Sequence, residues 1–493
     1  MGLLDTLLNK EKKLLERTRK ELAKVDSLEK ASKHREALDE LDKASGMLKE
    51  NMLFINKMRL DFSQVFTTLG TKYLSYDKAQ SAQDAARVAL QLDSKNAVAM
   101  GIDGKAALRL GQREEALAAL KRAVDLVPDS EDFWHSFGDA QDALGNSASA
   151  LDSYRRALTI NPLGVNHYDA ILAHTPQDTE LIRKKGEALT NLKRYDDAIK
   201  TLDAGLEIAP KDKDMLVSKA AALNFAGKSE DAIDALNLAL KIDPKDPYCL
   251  DNLGRIQHKM GNREDALKSF SKAVAADPKN KTIWNELGVV QQEMGMIDKA
   301  LDSFDEALQI DPKDLNVLVN MKKTLMKTER YTDTIAVCDR ILVLNPQDDE
   351  SLIDKAGALF SLAKYAEALT FSESAFALNP KSKVAMNLKK ECLINLGRHA
   401  DVVAWCNRIL EMDPNDFIAM HDKGVAQLKA GKPQEAIKTL DKALKSAPNQ
   451  LPILEALKEA YKQIQKDDLV VHTCDKIIAI DPKNKTAHFD KAV

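Results

Sequence analysis

The sequence predicts an all-α solenoid of about twelve full helix–turn–helix repeats plus one half repeat. Three observations carry the prediction. Prolines recur at 210, 244, 278, 312, 346, 380, 414, 448 and 482, a constant step, and Pro128–Pro162 and Pro176–Pro210 keep the same interval. Each period holds two stretches whose apolar residues fall three or four apart, the spacing of one helix face. Small residues return at fixed places in the period, where packed helices must come close.

Residues 281–314, KTIWNELGVVQQEMGMIDKALDSFDEALQIDPKD, display the unit. Trp284, Leu287, Gly288 and Gln291 share the face of a first helix. Gly295 follows where that helix ends and the chain needs a left-handed residue. Ala300, Phe304 and Ala307 line a second helix. Pro312 stops it, having no N–H to donate and a ring that crowds the preceding turn. Asp314 stands where the next helix wants an N-cap oxygen.

The same residues return as Leu250, Leu253, Gly254, Ala266, Phe270, Ala273 and Pro278, and near the front as Trp134, Phe137, Gly138, Ala150, Tyr154, Ala157 and Pro162. This pattern resembles the tetratricopeptide repeat (TPR) family, and twelve units hold it in phase. The resemblance implies a right-handed α-α superhelix. Its first helices would line a concave groove that takes an extended peptide or a helix of another protein.

Composition narrows the class. No stretch of the 493 residues approaches the ~20 apolar residues of a membrane span. The start, MGLLDTLLNKEKKLL, has no secretory apolar core, so no signal peptide is read. Five cysteines are an odd number without metal-type spacing, and Cys338, Cys406 and Cys474 fall on the buried face of second helices. They argue against disulfides and for the cytoplasm. A net charge of −4 with no basic stripe argues against nucleic acid. No nucleophile–base set, phosphate loop or metal cluster is visible, so neither catalysis nor a cofactor is expected.

Residues 1–62 are helical but off the pattern, and form an N-terminal cap or arm. Leu4, Leu7, Leu8, Leu14, Leu15, Leu22 and Val25 make an amphipathic stripe. Seven Lys/Arg against four Asp/Glu leave residues 1–24 basic. A cap on the first repeat is the plain reading, since solenoid ends need a cover. A coiled-coil arm and a membrane-surface helix are the sharper ones. Gly2 and Thr6 also fit a short myristoylation pattern. Residues 29–62, with Leu41, Met52 and Ile55, read as a worn repeat or one long helix pair.

Three repeats follow over 63–164, the first carrying Phe66, Leu69, Gly70, Tyr73, Ala82 and Ala89, with Ser94 in the proline place. Residues 165–178, VNHYDAILAHTPQD, break the phase. Tyr168 up to Pro176 aligns with Tyr154 up to Pro162, so this is the second half of a repeat whose first part is missing. His167 and His174 lie about two turns apart on it. Metal ligation is the sharp reading, a packing role the plain one, and no third ligand is in view. A kink or altered twist is expected here.

Nine repeats run over 179–484. A second period, twice the length of the first, joins 315–348, 383–416 and 451–484 through AVCDRIL, AWCNRIL and HTCDKII. There Lys322, Lys390 and Lys458 occupy the glycine place. Thr334, Val402 and Val470, then Ile341, Ile409 and Ile477, occupy the alanine places, while cysteine replaces the large residue between. The volumes compensate, as a close-packed interior requires. Residues 485–493 begin an incomplete thirteenth repeat, and nothing is expected to cover Val470, Ile477 and Ile478.

Groove positions follow from the register. One row is Ser218, Asn252, Glu286, Asn320 and Asp354. Nearby rows give Tyr248, Arg255, Val289, Val319, Lys323, Met326, Ile353 and Phe360. Asn252 and Asn320 could bond a peptide backbone, as an asparagine ladder does in some long TPR superhelices, but only alternate rungs are asparagine. The apolar members suggest a contact surface. TPR co-chaperones hold a C-terminal carboxylate with Lys and Asn. The matching positions here, Thr67/Thr71, Gly101/Lys105, Arg183/Glu187 and Asn285/Val289, lack that pair, so chaperone-tail recognition is not expected.

The functional reading is a non-enzymatic scaffold binding a protein or peptide in the groove. Two alternatives stand beside it. One is the recruiting arm of an enzyme whose catalytic part lies in another chain or beyond Val493. The other is a structural self-assembler, joined through the N-terminal helix or an uncovered C-terminal end.

Overall fold

The computed structural model describes residues 2–52, 55 and 58–492, with side chains from Leu7 onward. The stripe residue Leu4 and the myristoylation pattern of Gly2 and Thr6 lie outside the described side chains. Among the described residues there are 28 helices and no strand. They divide into two compact blocks, Met1–Ile256 and Gln257–Val493.

The first block opens with α1 (Gly2–Lys30) and α2 (His34–Asn51). Three hairpins follow: α3 (Arg59–Ser75) with α4 (Ala79–Leu92), α5 (Ala97–Arg109) with α6 (Arg113–Leu126), and α7 (Glu131–Ala143) with α8 (Ser147–Ile160). A single helix, α9 (Val165–His174), comes next. Then come α10 (Thr179–Asn191) with α11 (Tyr195–Ile208), α12 (Lys213–Phe225) with α13 (Ser229–Ile242), and α14 (Pro247–Lys259), within which the boundary falls.

The second block continues with α15 (Arg263–Ala276) and the hairpins α16 (Lys281–Glu293) with α17 (Ile297–Ile310), and α18 (Leu315–Lys327) with α19 (Tyr331–Leu344). Next are α20 (Asp349–Ser361) with α21 (Tyr365–Leu378), and α22 (Lys383–Asn395) with α23 (His399–Met412). The last are α24 (Phe417–Lys429) with α25 (Pro433–Ser446), α26 (Leu451–Gln463) with α27 (Asp467–Ile480), and the short α28 (Lys485–Ala492).

Local chemistry explains the regularity. Asp314 caps α18, accepting from the Asn316 and Val317 N–H groups at 3.0 and 3.3 Å. Asp178, Asp212, Asp348 and Asp416 cap their helices in the same way. Gly295 turns between α16 and α17 at φ +76°. The helices of a hairpin touch through the small residues. A Cβ on Gly288 would stand 2.6 Å from the Phe304 ring, and one on Gly138 2.6 Å from that of Tyr154. Ala300, Phe304 and Ala307 are fully buried.

A recurring ion pair ties the first helix of a hairpin to the helix before it, from a lysine on the later helix to a carboxylate on the earlier one. Lys185 meets Asp169 at 2.5 Å, Lys219 meets Asp203 at 2.6 Å, and Lys389 meets Glu373 at 2.9 Å.

At the front, the apolar stripe of α1 lies on α2 and α3. Leu15, Leu22 and Val25 join Leu41, Phe62, Phe66, Leu69 and Tyr73 in one core. Lys72 of α3 holds Asp26 and Glu29 of α1 at 2.7 and 2.8 Å. At the far end the expectation of a bare face is corrected. Val470 and Ile477 are buried, and Ile478 is packed beside them. The short α28 lies over α27, with Ala487 fully buried and Asp490 accepting from Lys458 and Lys462.

The three lysines in the glycine place are inside the protein. Lys322, Lys390 and Lys458 are only 0, 4 and 7 % exposed. Each ammonium reaches a carboxylate on the first helix of the following repeat: Asp354 at 2.7 Å, Asp422 at 2.5 Å and Asp490 at 2.7 Å. Cysteine in the large-residue place leaves room for the lysine stem. Burial alone would lower the pKa of Lys390, but Asp422 more than reverses it and holds the ammonium charged.

Candidate functional site

The first helices α10, α12 and α14 together line an open cavity of about 380 Å³. Arg183, Glu187 and Asn191 come from α10; Asp214, Ser218 and Phe225 from α12; Tyr248 from α14. The spacing of Asp214, Ser218 and Phe225 keeps them on one face of their helix. Two aromatics stand well into solvent there, Phe225 at 64 % and Tyr248 at 63 % exposure. Tyr195 stacks on one side of Phe225, with ring centroids 6.1 Å apart and an interplanar angle of 14°.

The polar groups are largely engaged. Arg183 bonds Glu180 at 2.7 Å and Glu187 at 2.5 Å, and the Ser218 hydroxyl donates to Glu187 at 2.8 Å. Asp246, the N-cap of α14, accepts from the Cys249 N–H at 2.8 Å and from the Lys213 ammonium. Burial would raise its pKa, yet these donors hold it below the ordinary carboxylate value.

Of the residues read from sequence, Ser218 and Tyr248 line this cavity. Asn252 turns its amide back onto the Tyr248 carbonyl at 2.9 Å, and Arg255 bonds Asp251 at 2.9 Å. In the second block Asn320 donates to Asn285 at 3.0 Å. Asp354 is the partner of buried Lys322, so its carboxylate is spoken for. Glu286 and Met326 are half-buried and Lys323 is exposed.

Val289 and Val319 are half-buried against the core beneath them, as are Ile353 and Phe360; the Phe360 ring meets Tyr365 edge-on at 5.2 Å. The register alone makes these four an exposed apolar patch, and packing instead takes up much of their surface. Phe225 and Asp214 escape the sequence reading, which placed Arg183 and Glu187 only as the counterparts of a carboxylate-holding pair. Counting four positions back and seven forward along the helix from Ser218 reaches both.

His167 and His174 do not converge: His174 meets Asp142 at 3.2 Å, while His167, 2 % exposed, faces the His135 Nδ1 at 3.0 Å. No group of three or more metal-ligating side chains occurs among the described residues. The five cysteines are buried and unpaired, and burial pushes the Cys338 and Cys406 thiols up to about 12. No described helix is long and apolar enough to cross a membrane.

Several family models match parts of the chain. Residues 104–165 match the tetratricopeptide repeat, and 191–358 the CABIN1 N-terminal domain. Residues 327–404 match subunit 3 of the anaphase-promoting complex (cyclosome), and 391–490 the N-terminal TPR repeats region of Psidin. No curated protein matches the chain.

Among solved structures, Pseudomonas aeruginosa pilF is 19 % identical over 43 % of this chain and 97 % of its own, with a TM-score of 0.36. Yeast Tom70 is 15 % identical over 83 % of this chain and 96 % of its own, with a TM-score of 0.31. YrrB, described as a TPR protein with an unusual peptide-binding site, is 18 % identical over 42 % and 100 %, with a TM-score of 0.27. The constant proline period, the hairpins it builds and the family models that match along it make this chain a tetratricopeptide-repeat protein.

Proposed function

We propose that the protein is a non-enzymatic interaction scaffold that takes a peptide or helical segment of another protein on its first-helix face. The observation that carries this is the pair of exposed aromatics, Phe225 and Tyr248, on neighbouring first helices around one open cavity. A solvated face has no use for two large rings, whereas aromatic anchors in a concavity are what contact surfaces use. In the second block the same reading assigns Glu286, Val289, Val319, Asn320, Lys323, Met326, Ile353 and Phe360 to the contact face. Five reduced thiols favour the cytoplasm as its location.

A phage-displayed peptide library panned on the full chain tests the proposal. Enrichment should appear with the native chain and vanish with Phe225→Ala/Tyr248→Ala. Both rings are exposed, so circular dichroism should be unchanged. Equal enrichment on the double variant would remove the proposal.

A further inference from the structure

We infer that the cavity between α10, α12 and α14 receives a cationic side chain, lysine or arginine, from a partner segment with apolar neighbours. This rests on the groove reading above and names the occupant.

The cavity is ill-suited to an anion. Arg183 is its one cation among the described residues, and the guanidinium is bracketed by Glu180 at 2.7 Å and Glu187 at 2.5 Å. It is saturated by carboxylates and makes a poor cradle for an anion. Ser218, which could also donate, gives its proton to Glu187.

Against that one cation the lining sets three carboxylates, Glu187, Asp214 and Asp246. Asp246 is already held by Lys213. Asp214 is exposed and has no hydrogen bond or ion pair among the described residues. An apolar occupant would strip water from the Asp214 carboxylate and return nothing. An acidic occupant would add repulsion. A cation satisfies the carboxylate.

The aromatic faces select the same group. Phe225 is stacked on Tyr195 and Tyr248 is well exposed, so both offer ring surface to a charge. The protein makes this contact elsewhere: the Lys355 ammonium sits 3.7 Å from the Phe371 centroid, and that of Lys389 4.2 Å from Trp405. A volume of about 380 Å³ holds one long side chain together with parts of its neighbours. The half-buried Val217 and Ala221 in the lining suit apolar flanks.

The test uses the full chain and three short peptides with blocked ends, alternating leucine with lysine, glutamate or glutamine, each labelled with fluorescein. By anisotropy, the lysine peptide should bind about 10-fold or more tightly than the other two, with affinity falling as salt rises. Asp214→Asn should weaken it several-fold and flatten the salt dependence. Phe225→Ala and Tyr248→Ala should each weaken it about 3- to 10-fold, the range of one cation–π contact. If the glutamate or glutamine peptide binds as tightly as the lysine peptide but remains sensitive to Tyr248→Ala, the cationic occupant is wrong and the groove reading survives. If no peptide responds to Tyr248→Ala, both are wrong.

Discussion

Lys322 is an ammonium group with no exposed surface, held by Asp354 at 2.7 Å and by the Ser351 hydroxyl at 3.2 Å. A buried charge is tolerable only while its partner remains. Asp354→Asn should therefore destabilise the α18–α20 region by about 3 kcal/mol in urea denaturation. Replacing Lys322 and Asp354 together by methionine and leucine should recover most of it. The exchange of glycine for lysine and of a large side chain for cysteine was legible as volume compensation. The carboxylate was not, because it belongs to the following repeat and only stacking brings it near.

His167 obeys the opposite electrostatics. Its burial lowers its pKa, the neighbouring His135 lowers it further, and Glu131 and Asp132 only partly oppose. The unfolded chain then takes up a proton before the folded one does. Stability is complete above the ordinary histidine value of about 6.5 and is lost as pH falls below it. The thermal midpoint should drop as pH falls below about 6.5, and His167→Gln should flatten that drop. The sequence set His174 beside it only in a metal reading and otherwise gave it a packing role, and helix spacing alone could not show that His135 of α7 is the residue that arrives.

At the scale of the element, the recurring device is the turn inside each hairpin. The Met296 N–H bonds the Gln291 carbonyl at 2.8 Å across Gly295, and the Lys364 N–H bonds that of Leu359 at 2.9 Å across Ala363. The geometry is the same, but Ala363 holds φ +59° with a Cβ, as do Lys193, Glu329 and Gln465 near that angle. Left-handed backbone costs such residues about 1 kcal/mol. Ala363→Gly should raise stability by up to that amount, read from the denaturation midpoint, while Gly295→Ala should lower it. The glycine turns were legible from residue identity. The others were not, because the packing of the two helices imposes the angle whatever residue stands there.

Within each of the two blocks, the helix pairs in substantial contact are next neighbours or next but one along the chain. That is why a period and a handful of small residues sufficed to read the fold: nothing distant in sequence had to be guessed. The site was harder. The register placed Ser218, Tyr248, Val319 and Phe360 on the same kind of face. Whether a side chain there stays open depends on what its neighbours leave uncovered. Phe360 leans on Tyr365, and Val319 sinks toward the core, while Tyr248 stands clear.

The lysine–aspartate links bear on how such an array can grow or shrink. Each joins a repeat of the lysine type to the one behind it, so losing a single repeat would strand a charge or bring two lysine-bearing repeats together. Removing a neighbouring pair closes the seam with the correct partner restored. Between Leu315 and Ile480, gene duplication or deletion should therefore cost least stability when it moves two repeats at once.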